Sequence, residues 1–302
     1  MTWLWIPITI AAALLQNIRT ALQKHLKGRL STNGATYTRY VFGFPLAILY
    51  VAGLHAGAGL ALPDFNWGFA AWLVLGAITQ IVATSLLLHA FAYKNFAVGV
   101  AYSKTEVIQA GVFGAVFLGE TVTAFGAVAI VLSTIGVMFM SLDRTQPPVR
   151  AFLLGWIERP ALIGIASGGV FAISAVAFRA ASLALEHPSF LMSAAYTVLC
   201  ATVLQTAVLT VYLYTRERGQ IGLVFKHWRM ASLPSIAGVL GTICWLTAMT
   251  LQSVAYVRTL GLIELVFTFM ISVFAFRERP ARNEVIGVAL LVGGIALVLN
   301  VR

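Results

Sequence analysis

The stretch YSKTEVIQAGVFGAVFLGE (residues 102–120) lies inside a long apolar run, yet it places Lys104 and Glu106 two residues apart. Charged side chains are scarce elsewhere, because they make up 10% of the 302 residues while hydrophobic residues make up 60%. A soluble domain normally has about a quarter of its residues charged, and the mean hydropathy here is +0.91. The composition therefore predicts an integral membrane protein, and the two charges need an explanation inside the membrane.

The apolar runs have the lengths of membrane-spanning helices, which need about 20 mostly apolar residues. The sequence predicts an all-α integral membrane protein with ten transmembrane helices. The predicted spans are 3–23, 36–54, 67–90, 96–118, 122–142, 161–184, 189–214, 231–251, 254–276 and 284–301. The polar stretch 143–160 is the one evident linker, so we predict two five-helix repeats, at 1–142 and at 161–302.

The two halves also resemble each other in sequence. A shift of 158 residues places Glu106 on Glu264 and Glu120 on Glu278, although the whole chain has only 10 acidic residues. Because each half has five helices, an odd number, the two repeats must enter the membrane with opposite orientation. This is the inverted-repeat architecture of many secondary transporters.

The loop charges predict the orientation of the chain. All lysines and arginines that fall in loops, from Lys24 to Arg282, lie in odd-numbered loops, whereas the even-numbered loops contain carboxylates such as Asp64. Cytoplasmic loops are enriched in Lys and Arg. We therefore expect a multi-pass protein of a bacterial cytoplasmic membrane, with the odd loops in the cytoplasm and both termini outside.

The repeated glutamate pattern resembles the signature of the drug/metabolite transporter (DMT) superfamily, of the ten-helix EamA type. That signature is a Glu, usually followed by Pro, and then an apolar run that ends in Gly-Glu. TEVIQAGVFGAVFLGE (105–120) matches it with Glu106, Gly119 and Glu120, and IELVFTFMISVFAFRE (263–278) matches it with Glu264 and Glu278.

Both copies depart from the signature, with Val107 and Leu265 in place of the proline and Arg277 in place of the second glycine. Members of the superfamily also commonly have cytoplasmic termini, unlike the orientation that the loop charges predict. The resemblance implies a secondary transporter and favours the export of amino acids or similar metabolites.

Glu106 and Glu264 are the leading candidates for binding substrate or protons. Each lies ten residues into its predicted span, about 15 Å deep and therefore near the bilayer midplane. A charge at that depth costs about 2.5–3.5 kcal/mol on insertion scales, so it normally faces a cavity or a partner. A carboxyl group taken out of water is more easily protonated. The alternative is a structural carboxylate that bridges helices.

Lys104 cannot pair with Glu106, because two helical residues two positions apart point about 200° away from each other. We expect Lys104 to pair with Glu264 or with a substrate carboxylate; a lysine that snorkels to the interface is the alternative. Tyr102, Glu106 and Gln109 share one helix face by their spacing and are predicted to line a cavity.

Two arginines complete the predicted site. Arg19 shares a face with Gln16, and Arg179 lies at a comparable place in the second half. Guanidinium groups suit carboxylates and phosphates, although snorkelling is the alternative for both. Trp245 is a candidate for stacking on a ligand, with apolar packing as the alternative. Arg39 and Arg258 are predicted to be interface anchors.

These observations predict a secondary active transporter of small metabolites such as amino acids, working by alternating access, with the proton as candidate coupling ion. The chain has no ATP-binding G-x-x-x-x-G-K-[ST] motif, and its scattered histidines predict neither a metal site nor a lipid enzyme. We expect no cofactor and no nucleic acid partner, contact with membrane lipid, and a monomer or homodimer. A sugar-phosphate or nucleotide-sugar exchanger and a lipophilic-cation exporter are the alternatives.

Overall fold

The computed structural model describes residues 3–24, 29–90, 101–140, 159–270, 273–274, 277 and 280–300. The regular elements in these ranges are helices, which confirms the all-α prediction there. They are α1 (Trp5–Lys24), α2 (Thr32–Val41), α3 (Phe44–Ala58), α4 (Trp67–Ala90), α5 (Glu106–Leu118), α6 (Ala124–Met140), α7 (Arg159–Ala184), α8 (Phe190–Arg216), α9 (Gln220–Lys226), α10 (Trp228–Leu251), α11 (Val254–Gly261), α12 (Ile263–Met270) and α13 (Arg282–Leu299).

Several of these helices are long and apolar enough to cross a membrane. Within the described ranges there are six such candidates, at Asn33–Ala58, Trp67–Leu87, Ala161–Ala184, Phe190–Arg216, Trp228–Leu251 and Arg282–Leu299. The other four predicted spans fall on α1, α5, α6 and the pair α11 and α12. The count of ten stays a prediction, and the predicted linker at 143–160 lies almost entirely outside the described residues.

The chain packs as two compact units, and each unit takes helices from both halves of the sequence. The first unit consists of Met1–Ile78 with Ala177–Gln252, and the second consists of Thr79–Val176 with Ser253–Arg302. The units are therefore different from the two predicted sequence repeats.

The first unit is built around α10, which packs against α1, α2, α3 and α8. A Cβ added at Gly241 of α10 would lie 3.4 Å from Leu15 Cβ of α1, so the missing side chain lets these two helices approach closely. Ser235 Oγ of α10 donates a hydrogen bond to the carbonyl oxygen of Thr38 in α2 at 2.8 Å. Small and hydroxyl side chains thus hold α1 and α2 on α10.

The second unit contains a very close helix pair, α6 and α13. A Cβ at Gly136 of α6 would lie 2.6 Å from the Gly287 carbonyl oxygen, and a Cβ at Gly294 would lie 2.8 Å from the Ala129 carbonyl oxygen. A step forward along α6, from Ala129 to Gly136, is therefore a step backward along α13, from Gly294 to Gly287. The two helices run antiparallel with their backbones in contact, as small residues permit.

Two helix starts in the first half of the chain recur in the second half at the spacing that the glutamates indicated. The shift of 158 residues carries Ala124, the first residue of α6, onto Arg282, the first residue of α13. It also carries Thr32, where α2 begins, onto Phe190, where α8 begins. Two pairs of helix starts are thus related by the same shift.

Three predicted spans are interrupted where the sequence predicted continuous helices, so those predictions are wrong in this respect. α5 begins only at Glu106, after a turn at 104–105, and α12 begins at Ile263, after a turn at Leu262. The span predicted at 36–54 divides into α2 and α3, where Pro45 occupies the first turn of α3. Proline lacks an N–H donor and tolerates only the first turn of a helix.

Candidate functional site

An ion pair links the charged stretch 104–106 to its counterpart in the second half. Lys104 Nζ lies 2.7 Å from Glu264 Oε1, and the side chains are 21% and 9% exposed. This partner is one of the two that the sequence predicted for Lys104. Because the contact is within hydrogen-bond distance, the ammonium and the carboxylate form a charge-assisted hydrogen bond.

A second ion pair engages Glu106, and its partner is a residue that sequence reasoning assigned elsewhere. Arg258 Nε lies 3.1 Å from Glu106 Oε1, although the N–H does not point at the oxygen well enough for a hydrogen bond. The prediction that Arg258 is an interface anchor is therefore wrong. The arginine lies close to the beginning of a predicted span, so sequence position alone favoured snorkelling, but α11 holds it against α5.

The two ion pairs are reciprocal. The stretch 104–106 supplies the cation of one pair and the anion of the other, and the stretch 258–264 does the same. The carboxylates are equivalent under the shift of 158 residues, whereas Lys104 corresponds to Leu262 and is not repeated. The site therefore combines two equivalent carboxylates with two cations that each belong to one half alone.

Both carboxylates lie in the first turn of a helix that begins at an interruption. Glu106 is the first residue of α5 and Glu264 is the second residue of α12. The N-terminus of a helix has a partial positive charge and free N–H groups. An anionic side chain is favourable there. Each interruption therefore creates a helix N-terminus that suits the carboxylate of Glu106 or Glu264.

Only some of the side chains predicted to share a face with Glu106 make the polar contacts expected of residues that line a cavity. Gln109 Nε2 donates to Thr105 Oγ1 at 2.9 Å and to the Ile165 carbonyl oxygen at 3.3 Å. The ring of Tyr102 is 5% exposed and packs in an apolar cluster with Met138. Of the three residues predicted to share this polar face, Glu106 and Gln109 make polar side-chain contacts. The ring of Tyr102 packs against apolar side chains.

Two glycines of α7 let that helix lie directly on this region. A Cβ at Gly168 would lie 2.6 Å from the Ser103 carbonyl oxygen, and a Cβ at Gly169 would lie 2.5 Å from Gln109 Oε1. A larger side chain at Gly168 would have to displace backbone next to the interruption, whereas one at Gly169 would meet the end of the Gln109 side chain. The close packing of α7 therefore lies at the charged stretch.

A different polar group lies in the first unit. Trp245 Nε1 donates to Gln16 Oε1 at 3.2 Å, so the indole has a polar partner and is 8% exposed. Arg19 lies one turn after Gln16, and its Cδ approaches the Cβ position of Gly238 to 3.2 Å. These three predicted residues are therefore neighbours on α1 and α10.

Arg39 joins this group, contrary to its prediction as an interface anchor. Its Nη2 donates to Thr242 Oγ1 at 2.9 Å, and its Cγ lies 3.4 Å from the Cβ position of Gly238. The residue was assigned to the interface because it lies near the start of a predicted span. Because α2 is held on α10, its guanidinium instead extends along α10.

Arg179 has a structural role at the end of α10. Its Nη1 donates to the Gln252 carbonyl oxygen at 2.6 Å and also to the Met249 carbonyl oxygen. The last carbonyls of a helix lack partners within the helix and favour a cation. The arginine is therefore engaged with the C-terminus of α10.

The comparisons with known proteins fit this arrangement. Residues 160–300 match the model of the EamA-like transporter family, which confirms the predicted superfamily for that part of the chain. A solved structure described only as “Crystal structure of protein” superposes with a TM-score of 0.70 at 18% identity, over 99% of this chain and 98% of that chain. That likeness shows a shared fold. No curated protein sequence matches this chain.

Proposed function

We propose that this chain, whose residues 160–300 belong to the EamA-like transporter family, is a secondary active transporter that exports small metabolites such as amino acids. The observation that carries the proposal is the reciprocal pair of buried ion pairs, Lys104 with Glu264 and Arg258 with Glu106. Apolar residues of similar size often hold helices together at lower cost than a buried ion pair does. Four charges at two helix interruptions are therefore better explained by function than by stability.

The amino-acid assignment follows from the chemistry of these pairs. A zwitterion has an ammonium group that can replace Lys104 on Glu264 and a carboxylate that can replace Glu106 on Arg258. Protonation of Glu106 would remove its charge and release Arg258 for the substrate carboxylate, so proton binding at Glu106 and substrate binding at Arg258 would be coupled. Such coupling is the basis of ion-driven transport.

Alternating access is supported by the packing of α6 and α13. These helices are equivalent under the shift of 158 residues, and their contacts show that they run antiparallel. Equivalent helices that run antiparallel are expected of repeats inserted with opposite orientation. In our proposal the two repeats exchange conformations, and the substrate is exposed to each side of the membrane in turn.

The proposed topology has both termini outside the cytoplasmic membrane, on the basis of the loop charges. Single cysteines introduced next to Asp64 and next to Arg150 test it with a membrane-impermeant thiol reagent on intact cells. We expect labelling near Asp64 and none near Arg150 until the cells are opened. The reverse pattern would contradict the proposed orientation.

The substrate assignment is tested by resistance to toxic amino-acid analogues. Cells that overproduce the protein should tolerate an exported analogue better than cells that produce Glu106→Gln, whereas Asp64→Asn, which changes an exposed carboxylate, should protect like the wild type. Equal sensitivity to every analogue in a broad panel, despite equal amounts of protein in the membrane, would refute amino-acid export.

A second candidate function, the exchange of sugar phosphates or nucleotide sugars, is favoured by one observation. The aliphatic stems of Arg19 and Arg39 both approach Gly238 of α10 in the first unit, and guanidinium groups suit phosphate. Transport of a radiolabelled sugar phosphate into proteoliposomes, in exchange for internal inorganic phosphate, would distinguish this candidate from amino-acid export.

A further inference from the structure

The connection between α8 and α10 (residues 216–230) is a short segment with many exposed cations. α8 and α10 are both long and apolar enough to cross a membrane, whereas α9 between them has 7 residues and is only about 10 Å long. The connection therefore lies at one membrane surface. Arg29, which is also exposed, joins it because its Nη1 lies 2.8 Å from Met230 Sδ. The exposed cations of the connection itself are Arg216, Arg218, Lys226 and Arg229.

The one carboxylate of this connection is engaged by α2. Glu217 accepts a hydrogen bond from Ser31 Oγ and another, at 2.5 Å, from Asn33 Nδ2. Gln220 Oε1 accepts a further hydrogen bond from the Ser31 backbone N–H at 3.0 Å. Both oxygens of the half-buried Glu217 thus bind neutral donors at the beginning of α2. The cations outnumber this carboxylate four to one, so the exposed side of the connection is positively charged.

Large apolar side chains are exposed between these cations. Phe225 is 49% exposed and Trp228 is 52% exposed, and the guanidinium carbon of Arg229 lies 5.5 Å from the centroid of the Trp228 ring. Val224 of α9 is fully buried and attaches the helix to its unit. Segments that combine Trp and Phe with Lys and Arg lie in the membrane interface, with their rings at the level of the headgroups. This location explains two large exposed rings beside charged side chains.

The equivalent connection in the first half has the rings but not the cations. The shift of 158 residues carries residues 58–72 onto residues 216–230, and residues 58–72 contain no Lys or Arg and one carboxylate, Asp64. Phe65 is 61% exposed and Trp67 is 83% exposed. Both connections therefore have the aromatic side chains of an interfacial segment. The cations distinguish residues 216–230, and they favour a partner with negative charge.

We propose that residues 216–230 and Arg29 form a docking surface for anionic phospholipids. The headgroup phosphates would bind the cations, while Phe225 and Trp228 enter the boundary between headgroups and acyl chains. Arg and Lys donate charge-assisted hydrogen bonds to phosphate oxygens, and clusters of cations beside membrane helices attract anionic lipids. In the proposed topology this loop faces the cytoplasmic leaflet. The docking surface is separate from the ion pairs, and its lipid binding does not depend on transport.

The test measures lipid binding to the full chain, purified in a neutral detergent, by native mass spectrometry. The probes are phosphatidylglycerol and phosphatidylcholine with identical acyl chains. The wild type should bind phosphatidylglycerol severalfold more tightly than phosphatidylcholine. Raising the ammonium acetate concentration from about 50 mM to about 500 mM should reduce this preference, because salt screens exposed charges. Equal affinities for the two lipids at low salt would overturn the proposal.

A pair of variants with the same loss of charge locates the docking surface. Lys226→Gln/Arg229→Gln removes two of its cations, whereas Arg159→Gln/Arg282→Gln removes two exposed arginines elsewhere. The first variant should bind phosphatidylglycerol at least about tenfold more weakly, since each cation near an anionic surface contributes about a factor of five. The second should bind it like the wild type. Equal losses of affinity in the two variants would overturn the proposal.

A soluble headgroup distinguishes a lipid from a free phosphate compound. Glycerol phosphate, added at the same concentration as phosphatidylglycerol, should leave the lipid bound, because it has no acyl chains for Phe225 and Trp228 to contact. Displacement of the lipid by glycerol phosphate would overturn the lipid assignment. These measurements need no transport, so a failure of the proposed function would leave their result unchanged, and equal lipid affinities would refute the docking surface alone.

Discussion

The ion pair between Lys104 and Glu264 makes a quantitative prediction about stability. At 2.7 Å and an effective dielectric constant of about 20, the attraction is about 6 kcal/mol before the cost of desolvation. Removing one partner of a buried pair leaves the other charge unbalanced and typically costs about 3–5 kcal/mol. Lys104 keeps 21% of its side chain exposed, so we expect Lys104→Gln and Glu264→Gln each to lose about 3 kcal/mol.

The double variant Lys104→Gln/Glu264→Gln leaves no unbalanced charge. It should lose no more free energy of unfolding than either single variant, which corresponds to a coupling energy of about 3 kcal/mol. Unfolding titrations in mixed micelles measure all four proteins of this cycle. Asp64→Asn with Lys226→Gln is the matched control, because both side chains are exposed and their effects should add.

Transport then separates a structural pair from a functional one. If Glu264 also binds substrate, the double variant shows the stability coupling but no transport. Single variants within about 0.5 kcal/mol of the wild type, or losses that simply add in the double variant, would refute the ion pair as the structure describes it.

Three other changes test the packing and the remaining charges. Gly136→Ala should cost about 2 kcal/mol or more in unfolding titrations, because its Cβ would meet backbone atoms of α13; Gly53→Ala, where nothing lies within 4 Å, should be neutral, and equal effects would contradict the close contact. Arg179→Gln should lose about 2 kcal/mol, because two carbonyls at the end of α10 lose a charged donor; an unchanged unfolding midpoint would exclude that role. Arg258→Gln should impair folding more than Glu106→Gln/Arg258→Gln does, and the opposite order would contradict the second pair.

The sequence predicted those features of the site that can be recognised because charged residues are rare in this chain. Glu106 and Glu264 stand out in a chain with 10 acidic residues, and their spacing of 158 residues also relates the starts of α2 and α8 and the starts of α6 and α13. The pairing of Lys104 outside its own stretch was predicted from helix geometry, although the structure places Lys104 in the turn before α5. These inferences needed no knowledge of tertiary packing.

The helix interruptions were harder to predict because their local signals are weak or ambiguous. Gly43 before α3 and Pro45 in its first turn are recognisable breakers, but an apolar run of sufficient length predicted one helix across them. At 104–105 the sequence contains neither glycine nor proline. There the hydroxyl of Thr105 donates to the Tyr102 carbonyl oxygen at 2.6 Å, and such side-chain bonds compete with a regular helix in a way that composition does not reveal.

The positions of the arginines depend on packing between distant segments. Arg39 and Arg258 lie near the beginnings of predicted spans, where snorkelling is the natural expectation. Their partners, Thr242 and Glu106, are 203 residues away for Arg39 and in the other half of the sequence for Arg258. A single sequence contains no information that connects these positions, so the second ion pair and the approach of Arg19 and Arg39 to Gly238 emerged only from the structure.

The central claim is that this chain is a secondary transporter coupled through its buried carboxylates, and uptake into proteoliposomes tests it most directly. The measurement compares accumulation of labelled amino acids with and without an imposed pH gradient, for the wild type, Glu106→Gln and Glu264→Gln. We predict gradient-driven accumulation by the wild type, its loss in Glu106→Gln and impairment in Glu264→Gln, with all three proteins folded. Accumulation that ignores the gradient, or that survives unchanged in both variants, would contradict the claim.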